Sequence, residues 1–381
     1  MKRIKSIDIL RGFAIVCMFL YHIQIWWIRE ADLWITDIMY SSYAILGTTG
    51  FLFISGVSTM LSYRNRMMKI NESYNKNVLR NEYLLRAFFI LIIALFFNVF
   101  VTIGSGDITD VWKWFILLTI SFSLFMAWPL LKTSKAFRII VAIIFWVVDQ
   151  FLVIFLSKFQ GQLNIGGVLF YILYNTLDQD PFLTFFTFFL IGTVIGDIIH
   201  EIIHMTNEIE RKRYLKYRLL LPCLIIGIIM IICGVFIQLP YSLNKGSFDW
   251  MRRFPDFLNR GTLSWMIYAM GIELTLISIL FSIEEYEIIK VEKSYKFLFY
   301  FSYYSFLTYL THNILYFLFL GILNIYLVFP ITFITLIAFG LLLRQLHKRA
   351  GANASLKVQI GRLSAGLAKV IDERNKQINN K

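Results

Sequence analysis

Ten runs of apolar residues, each close to the roughly 17 to 25 residues a helix needs to cross a bilayer, recur along this 381-residue chain. Windows of about 19 residues place them near 9–28, 43–63, 86–104, 112–131, 138–157, 182–200, 219–239, 262–282, 303–322 and 325–344. Apolar residues make up 58% of the chain and charged residues 16%, against roughly 45–50% and 25% in soluble domains. A water-soluble fold is excluded. In lipid each backbone polar group must be satisfied within the protein, so the expected fold class is all-α: a polytopic integral membrane bundle of about ten transmembrane helices. The first run, Ile9 to Ile28, follows Lys2, Arg3 and Lys5. It exceeds the apolar region of a secretory signal and has no small-residue cleavage site, so it reads as a retained helix. Cys17, Cys223 and Cys233 lie in apolar runs without a C-x-x-C pattern and read as small buried hydrophobes.

The net charge of +13 does not point to nucleic acid, because in such a chain the basic residues first set orientation. Arg64, Arg66, Lys69, Lys76 and Arg80 follow the second span, Lys132 and Lys135 the fourth, and Arg211, Lys212, Arg213 and Lys216 the sixth. Lys290, Lys293 and Lys296 follow the eighth, and the tail is basic again. The alternation predicts that both termini are cytoplasmic. One loop opposes it: residues 242–261, expected outside, carry Lys245, Arg252, Arg253 and Arg260. Arg252, Arg253 and Arg260 are candidates for binding an anionic acceptor, with lipid headgroups as the plain alternative.

Residues 1–346 are expected to form the transmembrane domain and 347–381 a cytoplasmic tail. In that tail Leu356, Ile360, Leu363, Leu367 and Val370 make one apolar stripe on a polar helix. Phe297 to Leu320 is too long for one upright helix, and Tyr300, Tyr303 and Tyr304 suit the membrane interface. No internal repeat is visible, nor the paired broken spans that mark inverted-repeat transporters.

Ionisable groups within spans are costly and therefore informative. Asp8 and Arg11, three apart, share a helix face and can pair. His22 lies 14 residues beyond Asp8, about 21 Å along the helix. It and His312 each read either as a general base or as a packing group bonded to a neighbouring helix. Asp149, Glu273 and Asp197 are further acids with the same two readings. His200 to His204 spells H-E-I-I-H, but at the end of a span with no third ligand evident, so no metal is expected. Gly192 and Gly196 form a G-x-x-x-G suited to close helix packing.

Ser6 to His22, S-I-D-I-L-R-G-F-A-I-V-C-M-F-L-Y-H, resembles the opening of the membrane acyltransferases grouped with heparan-α-glucosaminide N-acetyltransferase, with Asp8, Arg11, Gly12 and His22 on the family's positions. Gly50 to Ser58, G-F-L-F-I-S-G-V-S, resembles the family's second span. Asp178 to Gly196 resembles its Asp-x-x-Pro segment followed by Leu-x-Gly-x-x-x-Gly, through Asp178, Pro181, Gly192 and Gly196. Ser305 to His312, S-F-L-T-Y-L-T-H, is similar to a pattern of prokaryotic relatives and the wider superfamily. The eukaryotic lysosomal enzyme carries its proposed catalytic histidine just after the first span, where Arg29 to Thr36 has none, so the base role falls to His22 or His312.

The resemblance implies an acyltransferase of the cell membrane that takes acetyl from cytoplasmic acetyl-CoA. The acceptor would be an amine or hydroxyl of a glycan or lipid-linked molecule. On that reading His22, His312 and Asp178 are the catalytic candidates, Asp8 and Arg11 the cofactor-side candidates, and Arg252, Arg253, Arg260 and Glu273 the acceptor-side candidates. Membrane lipids and the acceptor are the expected partners, and oligomerisation stays open. The alternative is a transporter or flippase in which Glu273, His22 and His312 form a relay without covalent chemistry, and a scaffold with separate histidines is a third reading.

Overall fold

The computed structural model describes residues 4–35, 43, 45–70, 75–175, 179–237, 255–288 and 296–379. They form α1 (Lys5–Trp27), α2 (Gly50–Met67), α3 (Lys76–Ser105), α4 (Ile116–Leu130), α5 (Lys135–Leu156), α6 (Ile165–Leu173), α7 (Phe182–Ile203), α8 (Glu208–Leu215), α9 (Leu221–Phe236), α10 (Leu263–Glu285), α11 (Lys296–Tyr303), α12 (Ser305–Thr311), α13 (Ile325–Ala350) and α14 (Leu356–Asn379). Among the described residues nine helical segments are long and apolar enough to cross a membrane, and no β-strand is present beyond a single bridge between Ile28 and Leu323. The chain is an all-α polytopic membrane bundle.

Nine of the ten expected spans correspond to these segments; the one at 303–322 does not. There α11 stops at Tyr303, α12 begins at Ser305, and a 3-10 turn runs from His312 to Phe317. Tyr304, at φ −101° and ψ 22°, interrupts the helix. Its hydroxyl donates to Gly351 O at 2.7 Å and meets His347 Nδ1 at 3.1 Å, an anchorage that a continuous helix ignoring α13 would not need.

The chain divides into two compact units, one of residues 1–54 and 212–356 and the other of residues 55–211 and 357–381. In the first, α1 packs on α10, α11, α12 and α13, and α9 on α10. Gly12 sits where α11 crosses α1: a side-chain carbon there would run into the Leu298 carbonyl. The N-terminus of α1 is capped from α10, whose Glu284 carboxylate accepts from the backbone N–H of Lys5 at 2.8 Å and of Ser6 at 2.7 Å. Those donors have no partner within their own helix.

In the second unit α5 packs on α7, α3 on α4, and α4 on α7. Several polar groups point inward and find partners there, although Arg138 Nε, Asn98 Oδ1 and Ser123 Oγ make no hydrogen bond among the described residues. Arg138, fully buried, donates to Thr193 O at 3.0 Å and to Asp197, which also takes Arg64 Nε at 2.7 Å. Asp149 accepts from Tyr174 Oη at 3.0 Å and Thr184 Oγ1 at 3.1 Å, and Gly196 brings α7 against Val57 of α2. Glu201 pairs with Lys135 at 2.6 Å and His204 Nδ1 donates to His200 O at 2.8 Å, so the H-E-I-I-H residues are engaged in local contacts. Conversely Phe100, Phe151 and Phe155 face outward. Polar inside and apolar outside suits lipid as solvent.

Candidate active site

At 100° per residue, Asp8, Arg11, Ile15, Phe19, His22 and Trp26 fall within an arc of roughly 80° on α1. This face meets α11, α12 and the 3-10 turn. Asp8 lies 3.8 Å from Arg11 Nη1 and accepts from Ser302 Oγ at 3.1 Å. The pairing expected at this end of α1 is present, and Ser302 is a further partner. Phe19 packs against Phe301 and Phe339. One and a half turns before Ile28, His22 reaches the other histidine.

His22 Nδ1 and His312 Nε2 are 2.8 Å apart. The two ring planes are 14° apart with centroids separated by 5.1 Å, a separation that fits a head-on N–H···N bond between imidazoles. His312 Nδ1 lies 2.7 Å from Tyr309 O and 3.2 Å from Thr308 O. A carbonyl only accepts, so Nδ1 of His312 carries the proton. In neutral His312, Nε2 is then the acceptor, and His22 must donate to it from Nδ1. Neutral His22 is left with an unprotonated Nε2. This assignment follows from the hydrogen-bond network. Trp26, one turn beyond His22 on the same face, lies against both imidazoles with its ring centroid 5.4 Å from each. His312 is buried and His22 half-buried. A hydrogen-bonded histidine pair with one free ring nitrogen can take a proton from a bound amine or hydroxyl.

The other candidates distribute unevenly. Arg260 lies within electrostatic range of His22. Glu273 is fully buried beside Cys17, which is about 140° around α1 from His22. There Thr49 Oγ1 lies 3.4 Å from Glu273 Oε1, and a side-chain carbon at Gly50 would lie 2.9 Å from the same oxygen. Asp178, Arg252 and Arg253 lie outside the described residues. Sequence reasoning missed Trp26, whose i+4 spacing from His22 was a usable signal, and Tyr309, whose contribution is a backbone carbonyl without a sequence signature.

The family model described as heparan-alpha-glucosaminide N-acetyltransferase, catalytic, matches residues 3–227, more than half of the chain. The chain belongs to this family. A search of curated proteins finds no match. The matched stretch contains Asp8, Arg11 and His22, whereas Arg260, Glu273 and His312 lie beyond it. Membership makes this a multi-pass membrane protein of an acetyltransferase family.

Proposed function

We propose that this heparan-α-glucosaminide N-acetyltransferase-family protein moves an acetyl group from acetyl-CoA to an amine or hydroxyl of a glycan or lipid-linked acceptor, with His22 as the general base. The observation that carries the reading is the bond between His22 and His312, anchored on Tyr309 O, because it leaves Nε2 of His22 as the free basic nitrogen. Family membership supports acetyl transfer and not a particular donor or acceptor.

In the proposed reaction His22 Nε2 removes the proton of the acceptor as its nitrogen or oxygen attacks the thioester carbonyl. The new bond forms at the acyl carbon, the carbon–sulfur bond breaks, and the proton held by His22 passes to the departing thiolate. His312 keeps the His22 ring in place and receives the N–H of the transient imidazolium. It has no further proton path, since its own Nδ1 is committed to backbone carbonyls. Trp26 covers one side of both rings and limits water. Arg260 is proposed to meet an anionic group of the acceptor, with Asp178, Arg252 and Arg253 proposed to act with it. Asp8 and Arg11, about 21 and 16 Å down α1, are proposed to serve the donor's end.

The test incubates membranes containing the chain with radiolabelled acetyl-CoA and counts the extracted glycan and lipid fractions. Label is expected in one fraction, with His22→Ala slowing its appearance by about 10² to 10⁴. Label-free fractions throughout, or an unimpaired His22→Ala, would overturn the reading.

A further inference from the structure

A small cleft opens at the surface of the second unit, away from any residue assigned so far. Its walls include Thr59, Ser62, Tyr63 and Arg66 of α2 and Tyr83 and Arg86 of α3. Most of its donors have nothing to donate to. Thr59, Ser62 and Tyr63 have no hydrogen-bond partner for their hydroxyls among the described residues, and Arg86, although half-buried, makes neither a hydrogen bond nor an ion pair there.

The charges around it do not cancel. Arg66 pairs with buried Glu82 at 2.7 Å, and the same Glu82 and Arg66 are the charged groups acting on Arg86. Two guanidinium groups therefore share one carboxylate, which leaves one positive charge in excess. An unmatched cation removed from water is costly, and the cost is recovered when a ligand brings the anion. The aromatic wall is fixed: Trp128 sits 5.0 Å from the Tyr83 ring and 6.0 Å from Tyr63, under Lys132 Nζ at 4.8 Å. Tyr83 is held by its own hydroxyl, which donates to Leu124 O at 2.9 Å.

We propose that this cleft is a phosphate-binding site. Guanidinium forks fit the oxygens of a phosphate in bidentate fashion, and a phosphate offers enough acceptors to engage the three free hydroxyls as well, which a carboxylate with two oxygens does less completely. Two sources carry this chemistry: the phosphates of a coenzyme such as CoA, and the headgroup of an anionic phospholipid. The proposal does not rest on acyl transfer, and its readout is binding without turnover, so an inactive His22 variant leaves it untouched.

The experiment is native mass spectrometry and equilibrium titration of the full chain in phosphatidylcholine nanodiscs, with CoA in one arm and added phosphatidylglycerol in the other. The wild-type chain is expected to bind one of these probes, and the arm that responds names the source. Arg86→Met keeps the side-chain volume and removes the cation, and should weaken that binding by about 10- to 100-fold while leaving the ligand-free thermal midpoint equal or higher. Tyr63→Phe keeps the ring against Trp128 and should weaken it by about 2- to 10-fold; it decides the matter if Arg86→Met fails to fold. Wild-type affinity for both probes in either folded variant, or a wild-type chain that binds neither probe above the phosphatidylcholine background, overturns the proposal.

Discussion

Replacing His312 tests the proton assignment more sharply than replacing His22, because two substitutions there should behave differently. His22→Ala deletes the proposed base and should cost about 10² to 10⁴ in rate, or about 2.7 to 5.4 kcal/mol at 1.36 kcal/mol per tenfold. His312→Phe leaves His22 in place but takes away the nitrogen 2.8 Å from its Nδ1. An unmet buried donor costs about 1 to 3 kcal/mol. The imidazole escapes that cost by moving its proton to Nε2, the atom the reaction needs bare, so the competent fraction should fall by about 5- to 150-fold. His312→Gln retains an acceptor oxygen within reach of Nδ1–H and should lose only a few-fold. The double variant His22→Ala/His312→Phe should be no slower than His22→Ala alone, since both act on one proton transfer. The assay is the initial rate of label transfer from acetyl-CoA per unit of folded protein, with folding scored separately by gel filtration. Full activity in His312→Phe, or a Gln variant as impaired as the Phe variant, would refute the tautomer argument.

The buried network of the second unit gives a stability prediction: Asp197→Ala strands fully buried Arg138 and should cost about 3 to 5 kcal/mol, whereas Arg138→Met should cost less, because Arg64 still grips both Asp197 oxygens at 2.7 and 3.0 Å. Equal unfolding midpoints for the two variants in detergent would sink that account. At the end of α1, Arg29 Nε at 2.6 Å holds the Asp32 carboxyl below its usual range, helped by the Ile325 N–H at 3.1 Å. A carboxylate with a depressed folded-state pKa stabilises above the unfolded value and loses that contribution as pH falls through the folded one. Asp32→Asn should therefore lower the thermal midpoint at pH 7, and the gap to wild type should close below about pH 4; a gap independent of pH would contradict this.

Much of this was legible because hydropathy is a local property. The extents of α1, α7 and α10 follow from apolar runs, and counting 1.5 Å per residue put His22 about 21 Å along α1 from Asp8. That His22 and His312 touch depends on the break at Tyr304, which answers to Gly351 and His347 far along the chain. Arg138 marks the edge of the fifth span in a hydropathy window, yet it is fully buried because Asp197 and Thr193 of α7 receive it. Glu273 illustrates the converse: an acid in a span reads as a neighbour of the histidines until helix rotation assigns it to the Cys17 side of α1. Long-range partners and helix azimuth are set by packing, and no window of sequence carries them.

The interrupted segment also dictates an order of assembly. Residues 305–323 offer no uninterrupted helix long enough to enter a bilayer as a self-sufficient unit, and part of their backbone depends on α1 for its partners: Gly321 N–H donates to Trp26 O, Leu323 N–H to Trp27 O, and Arg29 N–H to Leu323 O. Synthesis delivers His22 before His312 by 290 residues. The earlier helix must therefore stand in the membrane as the template on which the later segment docks, and a nascent chain released before residue 312 holds one histidine of the pair.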